Sequence, residues 1–471
     1  MASEVKKTIG AAGDYTDFLS WYADRKGDIV TRDTIEVAEI LGEAVVGPVQ
    51  MDGGASTVDS SHYFVIRATT GAEFRGDFGD LSGKSVINGN SAYSNTVSTG
   101  LQYTKFQNFV IKHLSVAYSN RSALYFRYID YVTVSGVGIT DIYSDDDYNL
   151  TVMGIESDTS QHNNYIYNCF VNNISSYMSG TGSKSPIARG ISGNNVINCT
   201  VMNISATTNS SSGTPQSEGI FGDKIYNCVV GNVTVNRGNT KDFYWSESTN
   251  NFDDDYNASE DGTGDDVGTH GIVGITPADI FVDTSTATAD CHQLEDAVTI
   301  DAGLDESAIF TTDIDGDTRP TGAGTWDIGA DEYIVESQDY TKEDVASLPA
   351  NDTNLSGAFT AQNYTDVSSD NNAYVDQTSI GQYAMFLYKD KGTAQHNFTV
   401  TWKGKSDYAP SSSVVKLQIY DRDGTTWEDL DDDNATGAGT EFTLTATVTS
   451  DLDHYYDANY WIACRVYQRA I

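Results

Sequence analysis

The feature that most limits how this chain can fold is an internal repeat. Ile166-Tyr-Asn-Cys-Phe-Val-Asn-Asn-Ile-Ser175, Val196-Ile-Asn-Cys-Thr-Val-Met-Asn-Ile-Ser205 and Ile225-Tyr-Asn-Cys-Val-Val-Gly-Asn-Val-Thr234 share one pattern at offsets of 30 and 29 residues. Residues 106–110 and 128–132 read as looser copies, 22 residues apart. A β-branched unit of this length cannot bury its apolar face alone; successive copies complete one another by stacking. Stacking places Val171, Val201 and Val230 above one another inside a wall, about 4.8 Å apart, and Ile174, Ile204 and Val233 likewise. Asn168, Asn198 and Asn227 then form a ladder at a corner, where side-chain amides bond from coil to coil and satisfy bent backbone. Cys169, Cys199 and Cys228 form a parallel column. Parallel side chains are poorly placed for a disulfide and do not converge on a metal, so these cysteines read as small buried hydrophobes.

Composition supports a β-rich, multidomain protein. The 471 residues exceed what one ordinary core holds. Hydrophobic residues at 39% and 29 tyrosines exclude a disordered chain. Lys and Arg number 27 against 67 Asp and Glu, a net charge of −40. That sign disfavours nucleic acid, whose binders must neutralise phosphates, and an anionic membrane surface. No apolar run approaches the ~18 residues of a membrane span, so no membrane insertion is expected. The N-terminus lacks a signal-peptide core, which leaves two routes: the chain stays in the cell, or it leaves in a virus particle on lysis.

Residues 14–26 give the best helix, with Phe18, Leu19, Trp21 and Tyr22 on one face and Asp14 or Thr16 as the cap. Such a helix suits a lid over the open end of a stack. The segment 235–271 breaks the repeat and reads as a polar excursion. Beyond residues 334–350, strands at 383–388, 396–402, 414–420, 442–448 and 460–467 alternate apolar and polar residues, the pattern of an antiparallel sandwich or jelly roll. Trp402, Trp427 and Trp461 read as its core anchors.

Residues 283–333 carry Asp290-Cys-His-Gln-Leu294, Ile300-Asp-Ala-Gly303, Asp313-Ile-Asp-Gly-Asp-Thr-Arg-Pro320 and Trp326-Asp-Ile-Gly-Ala-Asp-Glu332. This run resembles the closing segment of right-handed parallel β-helix repeat proteins, a group of adhesins, surface proteins, phage spikes and carbohydrate-active enzymes. Thr8-Ile-Gly-Ala-Ala-Gly-Asp-Tyr15 is similar to the entry of such helices in phage proteins, and the stretch from Val400 to Glu428 is similar to modules of phage particle proteins. The expected architecture is all-β. It comprises an N-terminal cap (1–45), a right-handed parallel β-helix (46–335) that includes the closing segment 283–333, and a C-terminal antiparallel β-sandwich (336–471).

Candidate chemistry is sparse. Polygalacturonase-like hydrolases on this scaffold carry paired acids and a G-H-G; Asp145-Asp146-Asp147 and Thr269-His270-Gly271 match in part, but the N-T-D and R-I-K are missing. Asp145, Asp146 and His270 are thus the weak catalytic candidates. For a lyase base, Lys112, Arg127, Lys184, Arg189 and Lys224 lie in the coils without an arginine motif around them and read as surface charges. Asp313, Asp315 and Asp317 alternate as calcium ligands do, yet the glycine comes early and the twelfth position is Gly324 where a glutamate belongs. Calcium there is the one cofactor to weigh.

The expectation is a non-enzymatic bacteriophage virion protein, a spike, fibre or capsid-surface component at the particle surface. It would be a homotrimer, with other virion proteins and host-surface carbohydrate as partners. A polysaccharide depolymerase on the same scaffold is the enzymatic alternative, and a bacterial surface adhesin the third.

Overall fold

The structure is a computed structural model. It describes residues 2–470 except 43–44, 47–48, 52, 55, 90–94, 117–120, 127, 146–150, 158–162, 180–184, 245–252, 262–267, 321–325, 334–337, 368–372, 379–381, 392–396 and 458–459. The chain divides into two compact units, residues 1–333 and 334–471.

The first unit is a parallel β-solenoid with three faces. Strand Ile187–Ile197 bends from the first face to the second and Thr200–Thr208 forms the third; one coil on, Gln216–Tyr226 and Val229–Val235 do the same. Each strand pairs in parallel with its counterpart in the next coil, so Val171, Val201 and Val230 lie side by side, as do Ile174, Ile204 and Val233. The valine column continues upward as Ile139, Ile111 and Ile87. Leu124, Ile155, Ile191, Ile220 and Phe243 line the first face, and Phe106, Val134, Ile166, Val196 and Ile225 the second. All of these belong to one core.

The corner between the second and third faces explains the repeat's asparagine. Asn108, Gly136, Asn168, Asn198, Asn227 and Tyr256 occupy the same place on successive coils, and all have φ between 46° and 61°. The left-handed conformation costs most L-residues roughly 1–2 kcal/mol; glycine and asparagine adopt it most readily. The next residue points inward: Phe109, Val137, Cys169, Cys199 and Cys228 are wholly buried, and the cysteines are free thiols.

Two expectations about the repeat need correction. Residues 106–110 are in register, but the next coil is 134–139, not 128–132. There Gly136 replaces the asparagine and Val137 the cysteine, so the signature disappears while the geometry persists. The described strands within residues 235–271 also stay in the stack, while 245–252 and 262–267 lie outside the described residues. Asn239–Tyr244 and Asp253–Asp255 pair with Gln216–Tyr226, and Ala258–Ser259 pairs with Val229–Val235.

At the N-terminus, Ser3–Ile9 and Thr34–Ile40 are already rungs of the second face. Helix α1 (Phe18–Arg25) lies between them in the chain and packs Phe18, Trp21 and Tyr22 against the core, with Trp21 edge-on to Phe64. Its cap is Asp17, which accepts the Ser20 amide at 2.8 Å; Asp14 instead accepts the Thr8 amide at 3.0 Å. With the helix starting at residue 18, Leu19 turns outward and is 52% exposed.

The segment resembling a closing run does not sit at the end of the stack. Residues 276–320 and 326–333 turn back as a strap along the outside of the third face, toward the N-terminal coils. Cys291 donates its amide to Gly76 and Phe78 donates to Ala289, at 3.0 and 2.9 Å. The outward positions of the third face form the column Val86, Val110, Gly138, Phe170, Thr200, Val229 and Ala258. The strap covers it with Ile280, Phe281, Ala289, Cys291, Ile314 and Ile328, making a second core on the other side of the same sheet.

In the second unit a six-stranded antiparallel sheet runs in the order Gly357–Ala358, Gln338–Val345, Tyr383–Lys391, Trp461–Arg469, Val415–Asp421, Thr426–Asp433. The ribbon of Phe398–Gly404 and Phe442–Val448 packs Phe398, Val400, Trp402 and Leu444 against Leu417 and Ile419, as a β-sandwich does. Strand Thr426–Asp433 escapes a hydrophobic-pattern search because it is an edge strand studded with acids.

Candidate functional site

Polar groups concentrate where the strap crosses the asparagine corner. The ladder amides serve the strap as well as one another. Asn227 donates to Asn198 Oδ1 at 3.0 Å, as a coil-to-coil bond should. It also donates to the carbonyl of Leu304 at 2.8 Å, while Asn198 donates to those of Asp327 and Gly329 at 2.8 and 3.0 Å and Asn168 to that of Thr312. Asn172 and Asn203 hold the carbonyls of Thr286 and Thr284 at 2.9 and 3.1 Å.

Over this corner the strap builds a charged knot. Arg319 is wholly buried; it donates to Glu332 at 2.7 Å and to the carbonyls of Gly329 and Ala330 at 3.1 and 2.9 Å. Asp327 accepts the Tyr333 and Asp301 amides at 2.6 and 2.7 Å. Burial pushes the Asp327 carboxyl up to about 6 and Glu332 up to about 7, despite the opposing pull of Arg319. His292 lies between two carboxylates: Nδ1 faces Asp290, and Nε2 faces Asp315 at 2.8 Å. An ionised carboxylate only accepts, so both ring nitrogens donate and the ring is an imidazolium. Burial works against that charge, but the bonds to Asp290 and Asp315 prevail and hold the group up at about 12.

The strap's acidic turn can be examined as a metal centre. Asp313, Asp315 and Asp317 bring ligand oxygens within 4.8 Å of one another, as do His292, Asp315 and Asp331. Asp313 Oδ1 already accepts the amides of Asp315 and Asp317 at 2.9 and 2.8 Å, and its Oδ2 that of Glu332 at 3.1 Å. Its carboxylate therefore fixes the turn. Asp315 gives one oxygen to His292, and its other oxygen is buried without a hydrogen-bond partner. Desolvation, with neighbouring carboxylates adding to it, drives Asp313 and Asp331 up from the usual range.

Beside this turn, between strap and corner, lies a cleft of about 340 Å³. Glu73, Arg75, Asn108, Tyr167, Phe310 and Asp315 are among its walls. Arg75 reaches across to donate to the Asp315 carbonyl. Tyr167 and Phe310 stack on each other at 4.4 Å, so each ring covers a face of the other.

Of the catalytic candidates from the sequence, the structure describes His270 and the backbone of Asp145. His270 is half-exposed; its Nδ1 meets Asp255 Oδ2 at 2.7 Å and its ring stacks on Tyr256 at 4.6 Å. Asp145 ends strand Gly138–Asp145, whose coil is four rungs from Ala258–Ser259, roughly 19 Å at the usual strand spacing. The Asp145 side chain, Asp146, Arg127 and Lys184 lie outside the described residues. Arg189 is committed to Glu218 and lies over the Phe221 ring at 4.5 Å. Sequence reading missed Arg75, His292, Arg319, Asp327, Asp331 and Glu332 as a group. Five of the six stand in the motifs quoted for the fold, so the signal was charge inside a segment expected to be buried.

No family model matches the chain, and no curated protein matches it. Among solved structures, the chain aligns with the enzymatically active domain of tailspike protein 4 of bacteriophage CBA120 at 9% identity and a TM-score of 0.16. The alignment covers 94% of this chain, which spans 63% of the length of that one. A likeness of this size carries no argument about function.

Proposed function

We propose that this chain is a non-enzymatic structural protein of a bacteriophage particle, a spike, fibre or capsid-surface component used for attachment or display. The observation that carries the reading is the doubly buried third face: the solenoid core lies on one side of that sheet and the strap on the other. Such a wall exposes few backbone groups to proteases and suits a rigid rod. The phage-like stretches at Thr8–Tyr15 and Val400–Glu428 supply the particle context. A homotrimer, with other virion proteins and a host-surface carbohydrate as partners, belongs to the same proposal. Immunogold labelling of intact particles tests the location, and sedimentation tests the trimer; absence from particles overturns the reading.

A polysaccharide depolymerase is the second reading. It is favoured by the cleft, which sets Asp315 and Glu73 near the Tyr167–Phe310 pair. Incubation with host capsule and a reducing-end assay separates the two: released oligosaccharide replaces the structural reading with the enzymatic one.

A further inference from the structure

A solenoid whose coils touch only their neighbours is quasi-one-dimensional, and it unravels from either end coil by coil. Here the strap breaks that locality. Its acidic turn is tied to Arg75, 240 positions away, through the Asp315 carbonyl. Its hairpin of Phe281–Asp283 and Asp290–Gln293 meets Gly76 and Phe78. Its other end is bonded to Asn227, four coils beyond Asn108 at the same corner. The strap has no core of its own: most of its apolar side chains are buried against Phe74, Phe78 and the seven-residue outward column, roughly 30 Å long at strand spacing, and Phe310 and Trp326 against Ile197 and the tyrosines of the second face. That surface exists only when the coils bearing it have stacked in register.

We propose that the strap residues 276–320 and 326–333 are a lateral lock. They dock after the coils are complete, and they make the stack open as one cooperative unit instead of fraying from its ends. This rests on the solenoid alone and not on the particle role, so either can fail without the other.

Two experiments test it. The first is native-state hydrogen exchange on the whole chain, comparing wild type with Phe281→Ala/Ile314→Ala. The informative amides are those of Thr34–Ile40, a strand outside the outward column. A lock predicts that their protection falls together with that of Val229–Val235, by tenfold or more. Protection lost only in the strap and the covered column, with Thr34–Ile40 unchanged, overturns the proposal and leaves a passive cover. The second experiment compares two redox states of one variant, so the loss of the Asp290–His292 contact is common to both. Asp77 and Asp290 form an antiparallel bridge, whose Cα spacing suits a disulfide. In a Cys291→Ala background, Asp77→Cys/Asp290→Cys is compared oxidised and reduced. The lock predicts unfolding in guanidinium at least tenfold slower when oxidised; equal rates in the two forms overturn it.

Discussion

The guanidinium of Arg319 is wholly buried and donates to the Glu332 carboxylate at 2.7 Å, so the strap carries its principal ion pair inside the protein. Breaking one half of a buried pair leaves the other charge without compensation, at a cost of about 3–5 kcal/mol. Arg319→Met is expected to destabilise the first unit by that amount in urea titration. Arg319→Met/Glu332→Gln is expected to recover a measurable part of the loss. A double variant no better than the single one contradicts this account.

The pH dependence has a definite sign. Asp327 and Glu332 have folded-state values near 6 and 7, above their unfolded values of 3.8 and 4.5. The folded state therefore binds more protons between roughly pH 4 and 7, and stability falls as pH rises through that window. His292 is raised as well; its contribution is complete below pH 6.5 and is lost as pH rises toward about 12. Both effects point the same way. The melting temperature should be higher at pH 5.5 than at pH 8, and a flat or rising profile over that range refutes the assignment.

Gly138 holds a tight place in the outward column. A Cβ there would meet the ring of Phe74 at 2.6 Å. Overpacking of this kind costs about 1–3 kcal/mol. Gly138→Ala should lower stability accordingly, and Phe74→Leu in the same chain should restore part of it, as read by differential scanning calorimetry.

The five thiols are all buried. Burial pushes those of Cys169, Cys199 and Cys291 well above the usual value, so little thiolate forms at neutral pH. Native protein should give no reaction with a thiol-disulfide reagent over minutes, and guanidinium should release five equivalents. Prompt labelling of any native cysteine would show an opening that the packing does not contain.

The solenoid was legible because its evidence is local. Asn168, Asn198 and Asn227 recur for a backbone reason, the left-handed corner, and Val171, Val201 and Val230 for a packing reason one strand away. The coil at 134–139 was missed because glycine satisfies the same corner without the same letter. The strap's path was misread because its partners lie up to 240 residues away, and no spacing rule reaches that far. A trace of it did stand in the repeat: Phe170 and Val229 follow the cysteine on the face that a bare solenoid would turn to water. In the candidate site, Asp313 and Asp315 were legible as acids, whereas the imidazolium role of His292 depends on two carboxylates whose meeting only the fold creates.

Because the strap runs against the direction in which coils are laid down, its complement is synthesised long before it. On the ribosome, Val86, Val110 and Phe170 emerge and stack while the segment that will shelter them is still untranslated. A nascent chain halted near residue 275 should therefore present a greasy stripe along one flank, and its fate should hinge on holdase chaperones until the final stretch arrives.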